Sequence, residues 1–170
     1  MLSGPPLRFL APAILLALVL FPGCAASTGR VGAPPPGTPQ EALDVLKLVN
    51  EARARARSCG GERYSAADPL SLEGRLARAA QLHSQDMHDH NVMSHTGSDG
   101  SDLRARADRQ GYDWSNLGEN VAWGYTSPQS VVAGWLNSPG HCANIMNPTF
   151  TELGVGLQGT FWTQLFGRPL

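Results

Sequence analysis

Imidazoles and thiols are the groups in this sequence best suited to chemistry near neutral pH. The histidines are His83, His88, His90, His95 and His141; the cysteines are Cys24, Cys59 and Cys142. His83, Asp86 and His90 stand at i, i+3 and i+7, so they can share one helical face. That face also carries Leu72, Leu76 and Met87, which favours a hydrogen-bonded core histidine over a metal ligand. His88 points elsewhere, toward solvent. His95 lies in "MSHTGSDGS", a Gly- and Ser-rich loop of the kind where functional side chains sit. His141 follows a Ser-Pro-Gly signal in "WLNSPGHCANIMNP". A Pro-Gly pair bends the chain, so His141 is expected in a turn, facing a cleft or holding a loop. Glu119, in "LGENVAWG", is a charge inside an otherwise apolar strand. A carboxylate there must find a partner or raise its pKa; backbone N–H groups, an arginine or a histidine would serve.

Two imidazoles and a carboxylate are the ligand types of catalytic zinc sites. Only neutral imidazole binds such a metal, so binding by this set would weaken below about pH 6. Alternatively, Glu119 accepts a hydrogen bond from one histidine and fixes its tautomer. The spacing is scattered and is not a compact "HExxH". No "GxSxG" nucleophile elbow is present. Ser94 and Ser138 neighbour histidines in sequence, which does not establish a nucleophile–base geometry.

The compartment decides what the cysteines do. "MLSGPPLRFLAPAILLALVLFPGCAAS" has one basic residue, Arg8, then an apolar run from Phe9 to Phe21 and a small-residue exit. That run is short for a bilayer span and has the layout of an export signal over residues 1–23. Gly23-Cys24 is similar to the end of a bacterial lipobox, whose cysteine is acylated; Phe21 and Pro22 depart from the usual residues there. Acyl chains on Cys24 would anchor the protein to a membrane. Residues 24–38 are small, polar and Pro-rich, and read as a flexible tether. Two cysteines then remain in an exported domain, Cys59 and Cys142, and they are expected to form one disulfide. It would pin the turn carrying His141 to the end of the first helix. A formal net charge of −1 offers no field for nucleic acid, and none is expected as a partner.

The elements that must position these groups fill residues 39–170. "TPQE" is a helix start, with Thr38 as cap, Pro39 at the first position and Glu41 completing a capping box. Ala42, Val45, Leu46 and Val49 then give an amphipathic helix to about Arg57. A second helix, capped by Ser71, carries Leu72, Leu76, Ala79, Ala80, His83 and Met87 on one face and ends near Asn91. A third runs from Asp102 to Gln110 and closes at Gly111. Ser127-Pro128 opens a fourth, burying Val131, Val132 and Trp135. Strands are expected at 117–124, 152–158 and 161–167, the last two joined as a hairpin through Gln158-Gly159-Thr160. Helices early and strands late make an α+β domain, helices packed on a mostly antiparallel sheet.

"AAQLHSQDM", "SHTGSDGS", "LGENVAWG", "VVAGWLNSPGHCANIMNPTFTELGVG" and "FWTQLFG" occur in that order. Together they resemble the bacterial branch of the CAP superfamily, or SCP-like domains, over about residues 40–168. The resemblance implies a three-layer α-β-α sandwich with a central antiparallel sheet and an open cleft holding two histidines and two glutamates. By motif, His95 matches the first histidine, Glu119 the "GEN" glutamate and His141 the "GH" histidine. The second glutamate is missing: after Trp135 the chain reads "LNSPG", with Asn137 and Ser138 and no acid. The final hairpin is short, which implies a low cleft rim.

Three functions fit. The first is an exported, lipid-anchored or secreted monomeric module at the cell envelope, binding a lipid, glycan or protein through the histidine–glutamate cleft. The alternative is a metal-assisted, peptidase-like hydrolase in which His95, Glu119 and His141 hold zinc and a water. In the third the same residues are a polar network joining the "GEN" strand to the "GH" turn.

Overall fold

The computed structural model describes residues 1, 4 and 33–170. The export signal, Cys24 and the tether as far as residue 32 lie outside the described residues. Helix α1 spans Gln40–Arg53. Pro39 is its N-cap, because the Thr38 hydroxyl is spent 2.6 Å from the Pro35 carbonyl and caps nothing. The helix stops four residues before the expected Arg57, because residues 57–59 are claimed by a small antiparallel ribbon, β1 (Arg57–Cys59) with β2 (Glu62–Tyr64). Helix α2 spans Gly74–His90. Its cap is Glu73, whose carboxylate accepts from the Leu76 amide at 2.8 Å. The expected cap Ser71 instead belongs to strand β3 (Ser71–Leu72), which pairs with Glu152 and Leu153 far downstream and so removes Leu72 from the helical face. Asn91 ends α2 in the left-handed conformation, φ 51°.

Helix α3 covers Leu103–Arg109, with Asp102 as cap and Gly111 at φ 69° closing it as the sequence requires. Strand β4 covers Trp114–Trp123. Helix α4, Pro128–Asn137, has a full Ser127–Ser130 capping box. Pro139-Gly140 starts a helix, α5 (Pro139–Met146), rather than closing a turn. Proline at a first helical position loses no needed N–H, and the Cys142 amide bonds back to the Ser138 carbonyl at 2.8 Å. Strands β5 (Glu152–Gln158) and β6 (Phe161–Pro169) form the expected hairpin around Gly159.

The four-stranded sheet has the order β3-β5-β6-β4; β3 runs parallel to β5 and the other neighbours are antiparallel. Both faces are covered, which is why every residue from Phe161 to Gly167 is buried. One face meets α2. A Cβ on Gly154 would strike the backbone of Leu76 and Ala77, and one on Gly156 that of Ala80 and Gln81, so the helix lies directly on β5. The other face packs Leu153, Val155, Trp162 and Phe166 against Val45, Val49, Val131, Trp135 and Ile145 from α1, α4 and α5. The result is the three-layer α-β-α sandwich, with one parallel pairing added to its antiparallel sheet.

Two links hold the α5 side. Cys59 and Cys142 form the expected disulfide, Cα–Cα 5.5 Å, and it ties α5 to β1 beyond the end of α1. Arg53, fully buried, donates to the carbonyls of Asp68, Ile145, Asn147 and Phe150 at 2.7–3.2 Å. Burial lowers its pKa to about 10, so it stays charged at neutral pH. The outer edge of β4 is covered as well: the Asn144 and Trp135 side chains donate to the Glu119 and Val121 carbonyls at 3.1 and 3.3 Å. An edge strand finished this way is no template for another chain.

Candidate functional site

Consecutive residues of a strand point to opposite faces, so Glu119 and Asn120 build different halves of the site. Glu119 faces the α2–α3 side. Its Oε1 accepts from His95 Nδ1 at 2.9 Å, and its Oε2 accepts from the Arg106 guanidinium at 2.6 Å. The Glu119 side chain is 2% exposed and that of Arg106 7%, while the His95 side chain is 57% exposed. A buried carboxylate is thus neutralised from behind by a buried arginine and turned toward an imidazole that faces solvent. Arg106 also donates to the carbonyls of Ser101 and His95, which fixes the loop that carries His95.

With Nδ1–H given to Glu119, His95 presents Nε2 outward. The hydrogen bond to Glu119, more than any other influence, raises the His95 pKa; partial burial opposes it and the carboxylate's charge adds to it.

Asn120 faces the α5 side. It donates to the His141 carbonyl at 3.2 Å and to Gln164 Oε1 at 3.0 Å, and its own Oδ1 accepts from Asn144 at 2.9 Å. The "GEN" strand and the "GH" segment are therefore joined by amides. Among the described residues, the His141 imidazole has no hydrogen-bond partner. Burial, and then the charge of His95, lower its pKa. So the structure joins His95 to Glu119 and brings His141 within electrostatic reach of His95, but it does not bond His141 to the carboxylate. Asn137 ends α4 and Ser138 caps α5, so the position of the missing acid is spent on a helix junction.

The zinc expectation does not fit these residues. Among the described residues, no group of three or more His, Cys, Asp or Glu side chains is arranged to hold a metal ion. A cation on Glu119 would meet the Arg106 guanidinium, charge against charge. The weaker helix candidate fails too. His83 is a core residue bonded through Nε2 to the Ser94 carbonyl at 2.8 Å, and His90 Nδ1 is bonded to the Asp86 carbonyl at 2.9 Å.

Sequence reasoning missed Arg106 and Asn144. Arg106 had a signal: Leu103, Arg106 and Ala107 stand at i, i+3 and i+4, a cation on the apolar stripe of α3.

Comparison with known proteins decides the family. The family model described as Cysteine-rich secretory protein family, CAP, matches residues 46–166.

The chain belongs to the CAP family.

A Bacillus subtilis (strain 168) protein, YkwD, is 32% identical over 147 residues, covering 85% of this chain and 54% of its own. The membrane protein YlbC of the same organism is 38% identical over 97 residues, 57% of this chain and 28% of its own. This CAP chain thus spans about half or less of the length of these curated relatives. A solved extracellular protein containing an SCP domain, from Bacillus anthracis str. Ames, superposes with TM-score 0.69 at 32% identity, over 76% of this chain and 40% of its own. An outer surface protein of Borrelia burgdorferi shares the fold alone, with TM-score 0.60 at 20% identity over 75% of this chain and 89% of its own. In this CAP domain Glu119 orients His95, and Arg106 supplies the countercharge to Glu119.

Proposed function

We propose that this CAP domain is an exported, non-catalytic binding module of the cell envelope, tethered through an acylated Cys24, and that His95 and His141 form its contact surface for a lipid, glycan or protein. One observation carries the reading. Glu119 is buried and engaged at both oxygens, while the imidazole it orients is open to solvent. Such a carboxylate sets the direction and charge of a donor ring; it does not itself meet a substrate. Export is supported by the Cys59–Cys142 disulfide, which belongs to oxidising compartments, and by the extracellular and outer-surface proteins that share the fold. Among the described residues no helix is long and apolar enough to cross a membrane.

The test uses phosphatidylglycerol vesicles, soluble peptidoglycan fragments and casein, each with wild type, His95→Ala and His141→Ala. Saturable binding to vesicles or fragments is expected, weakened about ten-fold by either substitution, as for a contact residue worth over 1 kcal/mol. Casein should stay intact with or without added zinc. Zinc-dependent cleavage lost in both variants would establish the hydrolase instead. Variants that melt lower yet bind as wild type would leave the site a structural network.

A further inference from the structure

We propose that the cavity between the end of α2 and residues 92–98 binds a primary alkylammonium group, held by the Asp86 carboxylate. The cavity holds about 340 Å³, inside the range of roughly 300–1,000 Å³ for ligand pockets. Asp86, Met87, His90, Val92, Thr96 and Ser98 are among its walls. No lysine or arginine lines it among the described residues, and Asp86 is its one carboxylate.

That carboxylate has no cation of its own. Ser98 clasps it with neutral donors: the amide donates to Oδ2 at 2.9 Å and the hydroxyl to Oδ1. His90 Nδ1 donates to the Asp86 backbone carbonyl at 2.9 Å and stands 3.2 Å from Oδ1; the neutral ring adds no charge. Arg106 and Arg109 line an adjoining cavity that shares Asp86, Gly97 and Ser98. Both are engaged elsewhere, Arg106 with Glu119 and Arg109 with Asp99, each at 2.6 Å. Three carboxylates thus face two guanidiniums across this part of the fold, and Asp86 is the one left over. Burial works against its ionisation, but the two Ser98 hydrogen bonds outweigh burial and leave its pKa below the ordinary value. It stays charged while only 26% of its side chain is exposed. A charge so placed favours an opposite charge brought by a ligand.

The donors already present select the kind of cation. The Ser98 clasp takes one acceptor site on each oxygen, so the paired edge that a guanidinium fork uses is occupied. A hard metal ion needs several protein oxygens, and no group of three or more His, Cys, Asp or Glu is arranged to hold one among the described residues. A quaternary ammonium has no N–H to give. A primary ammonium brings three. One can go to a remaining Asp86 acceptor site, and the Thr96 and Ser98 hydroxyls on the same wall can accept the others. Val92, exposed at the same wall, offers apolar surface to the alkyl stem.

The experiment follows the methyl signals of Met87, Val92 and Thr96 by NMR at pH 8 while n-butylammonium chloride is added at constant ionic strength. Tetramethylammonium and n-butanol are the controls for charge without N–H and for shape without charge. n-Butylammonium should give saturable shifts with a Kd in the millimolar range, as suits so few atoms. Both controls should bind at least about ten-fold more weakly, the scale of one charge-assisted hydrogen bond. Asp86→Asn keeps an acceptor for Ser98 and should weaken binding by about the same factor. Val92→Lys changes an exposed side chain and puts a tethered ammonium at the cavity, so it should block the added one. Nα-acetyl-lysine N-methylamide separates the sources of the group. If it binds as well as n-butylammonium, a partner's lysine can supply the ammonium; if only the free amine binds, the ligand is a small amine; either supports the site. Absence of saturable shifts, equal binding of either control, or wild-type binding in Asp86→Asn or Val92→Lys would each overturn the proposal.

Discussion

Two histidines carry opposite pKa shifts: a carboxylate raises one, and burial lowers the other. Glu119 bonds His95 and favours its protonated form; His141 has no such partner and loses proton affinity to burial and to the charge on His95. The His95 contribution to stability is present below its unfolded pKa and is lost as pH rises through its higher folded value. For His141 the folded pKa is the lower one, so its contribution is present above the unfolded pKa and falls away as pH drops through that value toward the folded one. Imidazole C–H signals followed by NMR should place the His95 midpoint above, and the His141 midpoint below, the ordinary value of 6.5. Glu119→Gln should bring His95 down toward that value and, by easing the charge on His95, raise His141. Unchanged midpoints in that variant would mean that the hydrogen bond does not set the pair apart.

At the scale of elements, the site depends on how closely α2 lies on β5. "ELGVGLQ" alternates large residues toward α1, α4 and α5 with glycines toward α2. A side chain at Gly156 would have to displace helix backbone, which is far stiffer than a side-chain tip. Gly156→Ala should therefore cost about 3 kcal/mol, the upper range for overpacking. Differential scanning calorimetry checks this. A change of less than about 0.5 kcal/mol, as at ordinary surface sites, would mean that the helix moves freely off the sheet. Since α2 leads into the loop that holds His95, the same substitution should broaden the His95 signals.

For the whole molecule, the disulfide closes a long loop, with Cys59 and Cys142 separated by 83 positions. In the chain-entropy model such a link is worth about 4 to 5 kcal/mol. Cys59→Ser together with Cys142→Ser should lower the urea midpoint by that amount of stability, with little change in slope if the denatured chain stays equally open. Arg53 gives the same region a second tie through the carbonyls of Ile145, Asn147 and Phe150, so α5 and the following loop should remain docked in the double variant. Loss of the Asn120–His141 contact in that variant, seen as a collapsed His141 shift, would show that the disulfide alone seats α5.

The sequence by itself determined what depends on near neighbours and on patterning. Capping at Ser127, the end of α2 at Asn91, the Gly159 hairpin, the buried face of α2 and the pairing of two lone cysteines all rest on a few adjacent residues or on simple counting. It also marked His95, Glu119 and His141 as the groups to watch. Only the tertiary structure decided how they meet. Whether Ser-Pro-Gly closes a turn or opens α5 depends on what Cys142 and Arg53 hold in place. Whether Ser71 caps a helix or pairs with Glu152 depends on a strand far downstream in the chain. That Glu119 spends its second oxygen on Arg106, which turns a metal-ligand set into an oriented histidine, depends on α3 packing beside β4. Those outcomes come from long-range contacts between segments whose local sequences allow more than one structure.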